Sequence, residues 1–261
     1  MRTFVIAEAG SCHDGKLDKA LRLIELAAIS GVSACKFQFW SDPAHLAERR
    51  HAPELVAAYE ACRLPAFWLP ILAAAAHAAG LEFMATTYLP EDIELVDPHV
   101  ERFKIASFES QDEAFLRAHQ RFVKPIIVST GVCGEEAVAR LGQRRRERPG
   151  QLSLLYCVSA YPTPLEALRL AEMRWRDLDG LSDHTTSVLT GALAVAAGAR
   201  IVEKHLRLAG ADPANPDFGH SLPPDEFQLY VQNVRMAEAA MGDGERGPNP
   251  AEAPWAGYVV R

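Results

Sequence analysis

Short β-type runs alternate with helical patterns along almost all of this 261-residue chain, and that alternation leaves few folds open. Parallel strands cannot be joined by a hairpin, so each needs a crossover, usually a helix. The β-type runs are Thr3–Ala9, Ala34–Phe39, Glu82–Thr86, Arg102–Ala106, Pro125–Ser129, Leu152–Val158, Asp179–Ser182 and Arg200–Leu206. Helical patterns fall near Lys16–Ser30, Ala66–Ala79, Pro90–Val96, Asp112–Arg121, Glu135–Arg146, Leu165–Met173 and Ser187–Ala197, with a last one at Pro224–Met241. Gly31, Gly80 and Gly198 stand just past three of them, where helix C-termini favour glycine. Eight strand–helix units in this length fit a single-domain α/β fold, the (β/α)8 TIM barrel. A doubly wound open sheet is the competing arrangement. It binds ligands mainly at its switch point, whereas here polar clusters follow nearly every run, so the barrel is the expected fold.

The barrel is expected over residues 1–241, with two departures from simple alternation. Ser41–Pro65 is a long insertion after the second strand, with one helix expected at Pro53–Cys62, and its position suits a lid or pocket wall. Residues 242–261 form a Gly- and Pro-rich tail with a closing apolar patch, expected to pack on the barrel's outside or on a partner chain.

Charge and cysteine usage narrow the function. A net charge of −7 argues against a nucleic-acid binder, and the one basic run, Arg144, Arg145, Arg146 and Arg148, reads as a solvated helix end. The five cysteines are scattered and show no C-x-x-C pair, which suits a reducing compartment. The chain enters a strand at once without the features of a signal peptide, and its alanine-rich runs are helix-sized. A cytoplasmic protein that does not engage a membrane is expected.

In a barrel of this kind the strands' C-terminal ends form the pocket. Those ends present Glu8, then Ser11, His13 and Asp14; Lys36 and Gln38, which alternate to one face; Thr86 and Thr87; and Lys104, Ser107 and Glu109. Ser129, Thr130 and Gly131 follow the fifth strand, Ser159 and Tyr161 the sixth, Ser182 and His184 the seventh, and Glu203 and His205 the eighth. Two lysines inside a barrel need anionic company, either from Glu8 and Glu109 or from a small phosphate- or carboxylate-bearing ligand. His184 and His205 flank an alanine-rich helix, and each stands where a strand gives way to a loop. They read as ligands for a divalent metal acting as a Lewis acid on a carbonyl, with Glu203 or Asp217 available as a third.

The segments IAEAGSCHDG, ACKFQFW, EFMATT, FKIASFES, KPIIVSTG, LLYCVSAYPTP, GLSDHT, GARIVEKHL and DFGHSLPPDEF, in this order, resemble the catalytic barrel of the N-acetylneuraminate (sialic acid) synthase family. The resemblance runs from Phe4 to about Met241 and extends, more distantly, to the phosphoenolpyruvate-dependent synthases of 3-deoxy sugar acids. It implies condensation of phosphoenolpyruvate with an aldehyde sugar, giving a 2-keto-3-deoxy acid and phosphate. Under it His184 and His205 would hold Mn2+ or Mg2+, and Lys36, Thr86, Lys104, Ser107, Ser129 and Ser182 would bind phosphoenolpyruvate. Gln38 and Ser159 join the substrate-binding set. Glu8 and Glu109 match residues for proton transfer and stabilisation, and Tyr161 and Asp217 match acceptor-binding positions.

Three departures from the family pattern bear on the acceptor. Cys12-His13-Asp14-Gly15 replaces the usual Asn-His-Asn-Gly, the stretch after Phe39 aligns poorly with the sugar-contacting stretch, and the sequence stops where an antifreeze-like domain usually follows. That domain brings an arginine to the partner's sugar pocket, so a smaller or differently decorated aldehyde is expected. A homodimer, or a separate protein carrying the antifreeze-like domain, is the expected partner. The same platform admits two other activities: a non-catalytic or regulatory homologue that binds a phosphorylated ligand, and a metal-assisted aldolase.

Overall fold

The structure is a computed structural model that describes residues 2–242, 244 and 249–258. Eight parallel strands close into a barrel in sequence order: β1 (Phe4–Gly10), β2 (Ala34–Phe39), β3 (Glu82–Thr87), β4 (Phe103–Ile105), β5 (Ile126–Ser129), β6 (Leu152–Cys157), β7 (Gly180–Asp183) and β8 (Ile201–His205). Strand β1 pairs with both β2 and β8, which completes the closure. The expected (β/α)8 barrel is the observed fold.

Strand alternation builds two different faces from one sequence. Val5, Ala7, Cys35, Phe37, Phe83, Ala85, Phe103, Ile105, Val128, Leu154, Leu181 and Val202 point outward, into one continuous core beneath the helices. The opposite parity points inward. Ile6, Ala34, Met84, Ile127 and Leu155 form a separate apolar plug across the bottom of the barrel. Moving up the strands, the next inward positions are Glu8, Lys36, Thr86, Lys104, Ser129, Ser182 and Glu203. All of them are buried.

Around the barrel run α1 (Leu17–Ile29), α2 (Pro43–Arg49), α3 (Val56–Ala61), α4 (Leu69–Ala78), α5 (Asp92–Val96), α6 (Glu113–His119), α7 (Glu135–Glu147), α8 (Glu172–Trp175), α9 (Thr190–Ala196) and α10 (Pro224–Met241). The insertion holds one helix more than expected. Helix α2 starts at Asp42, whose carboxylate accepts from the Ala44 and His45 amides, with Pro43 in the first turn. Asp42-Pro43 is a helix-start signal present in the sequence. The helix expected over Leu165–Met173 is replaced by a 3-10 turn at Leu165–Ala167 and the short α8. Leu168 is extended, and Leu168 and Leu170 pack on the core, so a two-residue period displaces the helical one.

Within the run Pro53–Ala78 an 18-residue stretch reaches a mean hydropathy of 1.3, the length and composition of a membrane span. The run is divided between α3 and α4, and α4 lays Leu69, Leu72, Ala73 and Ala76 into the core. In the tail, Pro250–Tyr258 is a 3-10 run with Trp255 and Tyr258 mostly exposed, and the closing Val259 and Val260 of the expected apolar patch lie outside the described residues. The five cysteines are free. At the end of α7, Arg146 and Arg148 are exposed as expected of a solvated helix end, whereas Arg144 and Arg145 are half-buried, Arg144 pairing with Glu113 and Arg145 lying 3.0 Å from Asp179.

Strands β7 and β8, which carry the two histidines, meet closely at Gly180. A Cβ there would lie 1.8 Å from the Ile201 carbonyl oxygen, a backbone atom that can yield only if the strands separate. Gly180→Ala is expected to lower stability by about 1–3 kcal/mol, the usual range for overpacking, read as a fall in the urea midpoint. An unchanged midpoint would show that this strand pair tolerates the added methyl.

Candidate active site

The inward polar layer is assembled by strand register. Glu8 lies opposite both Lys36 and His205, Thr86 opposite Lys104, and Ser182 opposite Glu203. Lys36 Nζ is 2.5 Å from Glu8 Oε2, donates to Thr86 Oγ1 at 2.7 Å and sits 3.7 Å from Glu203 Oε2. Lys104 Nζ donates to Ser129 Oγ at 2.8 Å and lies 3.8 Å from Glu203 Oε1, which also accepts from Ser182 Oγ at 3.0 Å. The layer floors a cavity of about 350 Å3, lined also by Gln38, Arg50, Tyr88, Ser107, Phe108, Tyr161, His184, Asp217 and His220.

The two central carboxylates are driven apart in protonation. Burial pushes Glu8 up to about 7, against the attraction of Lys36. Burial acts on Glu203 in the same direction, but Lys104 and Lys36 together outweigh it and hold Glu203 below the usual carboxylate range. Burial lowers Lys104, whereas Lys36 is raised because Glu203 and Glu8 overcome the cost of its burial. Two acidic groups with opposed shifts beside two cations suit a site that holds an anion and moves a proton.

His184 and His205 come together at the top of β7 and β8, their ring centroids 5.4 Å apart. His184 Nδ1 lies 3.4 Å from the Val158 carbonyl, which can only accept, so this contact favours the Nδ1–H tautomer and leaves Nε2 free to ligate. Burial first, and then the neighbouring His220, lowers His184 to about 4 and His205 well below the ordinary value, so both are neutral near pH 7. The loop carrying His184 is pinned from the outward face of the strands. Lys204 there lies 3.2 Å from Asp183, whose carboxylate accepts from the Thr185 amide and hydroxyl.

Other sequence-derived candidates fall into place unevenly. Asp217 joins the site from the loop after β8: its Oδ2 accepts from the Ser11 amide and hydroxyl at 2.8 Å and from Gln38 Nε2 at 3.3 Å. Gly10 (φ +52°) makes room, since a Cβ there would sit 2.3 Å from Asp217 Oδ2. Gln38 also donates to Glu8 at 3.3 Å, and the ring of Tyr161 lies against His184. Ser107 lines the cavity and accepts from the Gly131 amide at 3.1 Å. Ser129 acts through Lys104, and Ser159 lies behind Gly131 beside Cys157, off the cavity wall. Glu109 does not meet the lysines: Arg50 Nη2 holds it at 2.8 Å in an adjoining cleft of about 630 Å3. His13 packs against Trp68 and Phe37 and accepts from the Gly15 amide, which makes it a core residue.

Three site residues carried no clear signal in the sequence. Arg50 comes from the insertion and stacks over Tyr88 and Phe108, joining the cavity to the cleft. Asn215 ties the β8 loop to β1 by donating to the Ser11 carbonyl and to Asp14. His220 lies within DFGHSLPPDEF, but its distance from the strand ends hid it among the loop residues.

Residues 23–246 match the NeuB family. The chain belongs to that family. It is 34% identical over 267 residues to a pseudaminic acid synthase of Campylobacter jejuni, covering 94% of this chain and 76% of that protein. It is also 34% identical to an N,N'-diacetyllegionaminic acid synthase of Legionella pneumophila, covering 100% of this chain and 79% of that one. A solved N-acetylneuraminic acid (sialic acid) synthetase of Leptospira borgpetersenii serovar Hardjo-bovis, in complex with citrate, superposes with a TM-score of 0.89 at 26% identity, covering 99% of this chain and 91% of that one. This NeuB-family chain is an enzyme of the phosphoenolpyruvate-dependent, carbon–carbon bond-forming type.

The raised Glu8 has a measurable consequence. Folding favours its protonated form, so its contribution to stability is fully present below about pH 4.5 and is lost as pH rises through about 7. Wild type is expected to lose stability relative to Glu8→Gln between about pH 5 and pH 8, in urea titrations at stepped pH. Parallel curves across that window would show that Glu8 does not titrate there.

Proposed function

We propose that this enzyme condenses phosphoenolpyruvate with an aldehyde sugar to give a nonulosonate-like 2-keto-3-deoxy acid and phosphate. The observation that carries the proposal is the buried layer of Lys36, Lys104, Glu8 and Glu203 flooring a cavity at the mouth of the barrel. With Glu8 part-protonated near pH 7, the two lysines outnumber the charge that the protein itself supplies, and a small polyanion restores the balance. Lys36 and Lys104 would pair with its phosphate and carboxylate, while Thr86 and Ser107 donate hydroxyl hydrogen bonds, Ser182 turns its hydroxyl from Glu203 to the ligand, and Ser129 keeps Lys104 in place. Residues 1–241 act as the catalytic unit. The reaction belongs in the cytoplasm.

In the reaction the enol carbon of phosphoenolpyruvate forms a bond to the aldehyde carbon, whose oxygen takes up a proton. Water adds to the resulting cationic carbon and loses a proton, and phosphate leaves with the bridging oxygen. Glu203, held ionised, stabilises the positive carbon. Glu8, poised near neutrality, exchanges the proton with the water or the new hydroxyl, and Gln38 orients it. Tyr161 and Asp217 face the acceptor from above. The Arg50–Glu109 pair marks the cleft into which a longer acceptor extends, and a second subunit or a separate antifreeze-like domain would reach the acceptor from that side.

The donor set also fits a divalent metal. His205 Nδ1 is buried without a hydrogen-bond partner, and the His184 ring, its Nδ1 turned to the Val158 carbonyl, has its centroid 5.4 Å from that of His205. His184 and His205 would hold Mn2+ or Mg2+, which when bound supplies Lewis-acid polarisation of the acceptor's carbonyl oxygen.

The test is phosphate release from phosphoenolpyruvate with Mn2+ across aldehydes from three-carbon sugars to N-acetylhexosamines. Release is expected to require both aldehyde and metal and to vanish in His184→Ala and His205→Ala. Lys36→Met and Lys104→Met should each raise KM for phosphoenolpyruvate by about tenfold to a hundredfold, the loss of one charge-assisted contact. Binding of phosphoenolpyruvate without turnover would favour a non-catalytic homologue. Keto-acid turnover without phosphoenolpyruvate would favour an aldolase.

A further inference from the structure

A third imidazole reaches the histidine pair from the loop between β8 and α10. His220 closes the 3-10 turn Phe218–His220 and is 3% exposed, yet its Nε2 has no hydrogen-bond partner. Asp217 Oδ1 stands 3.6 Å from that nitrogen, beyond hydrogen-bonding distance. His205 Nδ1 is buried and unpartnered in the same way. Leaving such groups unmade is costly in a folded protein, and two of them side by side call for a common partner.

The geometry of the cluster matches one. Ligand atoms of His205, Asp217 and His220 all lie within 4.8 Å of one another. The His220 ring centroid is 4.3 Å from that of His205 and 5.8 Å from that of His184. Imidazoles bound to one ion at about 2.1 Å have ring centroids roughly 4.5–5.3 Å apart; the His205–His220 pair lies just short of that separation and both distances to His184 lie beyond it, so His184 would join the ion by a small turn of its ring. The cluster is also held in place. Asp217 is fixed by Ser11, Ser221 Oγ donates to the Asp217 carbonyl at 2.6 Å, and the Tyr161 ring lies against both His184 and His220.

We propose that His220 is a third imidazole ligand to the divalent cation, beside His184 and His205, and that Asp217 lies within reach of the same ion. The proposal rests on the metal site put forward above. Its consequence is selectivity. A centre with two imidazoles and several oxygens accepts Mg2+, which prefers oxygen ligands and keeps its waters, whereas three imidazoles favour the borderline first-row ions Mn2+, Fe2+, Co2+ and Zn2+.

The experiment uses the whole chain, stripped with chelator and titrated with Co2+, Mn2+ and Mg2+ by calorimetry, with the Co2+ absorption bands recorded in parallel. X-ray absorption at the cobalt edge of the wild-type protein is expected to count three imidazoles. His220→Ala is expected to show two, to shift the Co2+ bands, and to bind Co2+ at least about tenfold more weakly while Mg2+ binding changes little. A count of two in wild type overturns the proposal. So does unchanged Co2+ affinity and spectrum in His220→Ala, with binding lost in His205→Ala. Wild-type protein that takes up none of the three ions overturns the metal site itself and the proposal with it. The wild-type count decides the matter even if His220→Ala fails to fold.

Discussion

Two ammonium groups inside a closed barrel are the constraint on which the rest of this structure depends. Lys36 and Lys104 are buried, and a buried charge without a partner is prohibitive. Glu8 and Glu203 supply the partners, and strand register supplies the distances: neighbouring strands bring Glu8 to Lys36 and Ser182 to Glu203. Below the charged layer the apolar plug of Ile6, Ala34, Met84, Ile127 and Leu155 keeps water out from the barrel's bottom. Above it the cavity opens to the loops. An apolar filling of the same layer would serve stability at least as well, so stability alone does not account for the charges, and the proposed anionic substrate does.

The arrangement also divides labour between two carboxylates of similar chemistry. Glu203 has both lysines within 4 Å and stays ionised, whereas Glu8 meets Lys36 alone and burial dominates it. One layer therefore holds one carboxylate ionised and another close to neutrality, the division that the proposed reaction uses. Above them the loops complete the site: the insertion sends in Arg50, and the β8 loop folds back over β1 to deliver Asp217 and His220. The β8 loop depends on a close approach elsewhere, since Asp217 needs a residue without a side chain at position 10. The outward pair Asp183–Lys204 adds an anchor beneath the His184 loop.

Much of this was legible in the residues. Strand ends follow from β-type runs, and their polar residues mark the pocket before any coordinate is known. Helix α10 and strand β2 take the spans their patterns predict, and the other strands and most helices shift by a residue or two. What misled was local ambiguity. In Leu165–Met173 a run of leucines suits both a helix and an extended stretch, and packing on the core chose the second. Glu109 and Glu203 both stand at strand ends, and no pattern in the chain says which of them faces the lysines.

The sequence by itself determined the barrel, the layer of inward charges and the identity of the histidine pair, because each follows from a period of two along a strand or from a strand's end. Only the tertiary structure decided which carboxylate meets which lysine, that Arg50 holds Glu109 in the adjoining cleft, and that His220 reaches His205. Those contacts join residues of different loops, and a loop's path is set by what it packs against and not by any periodicity of its own.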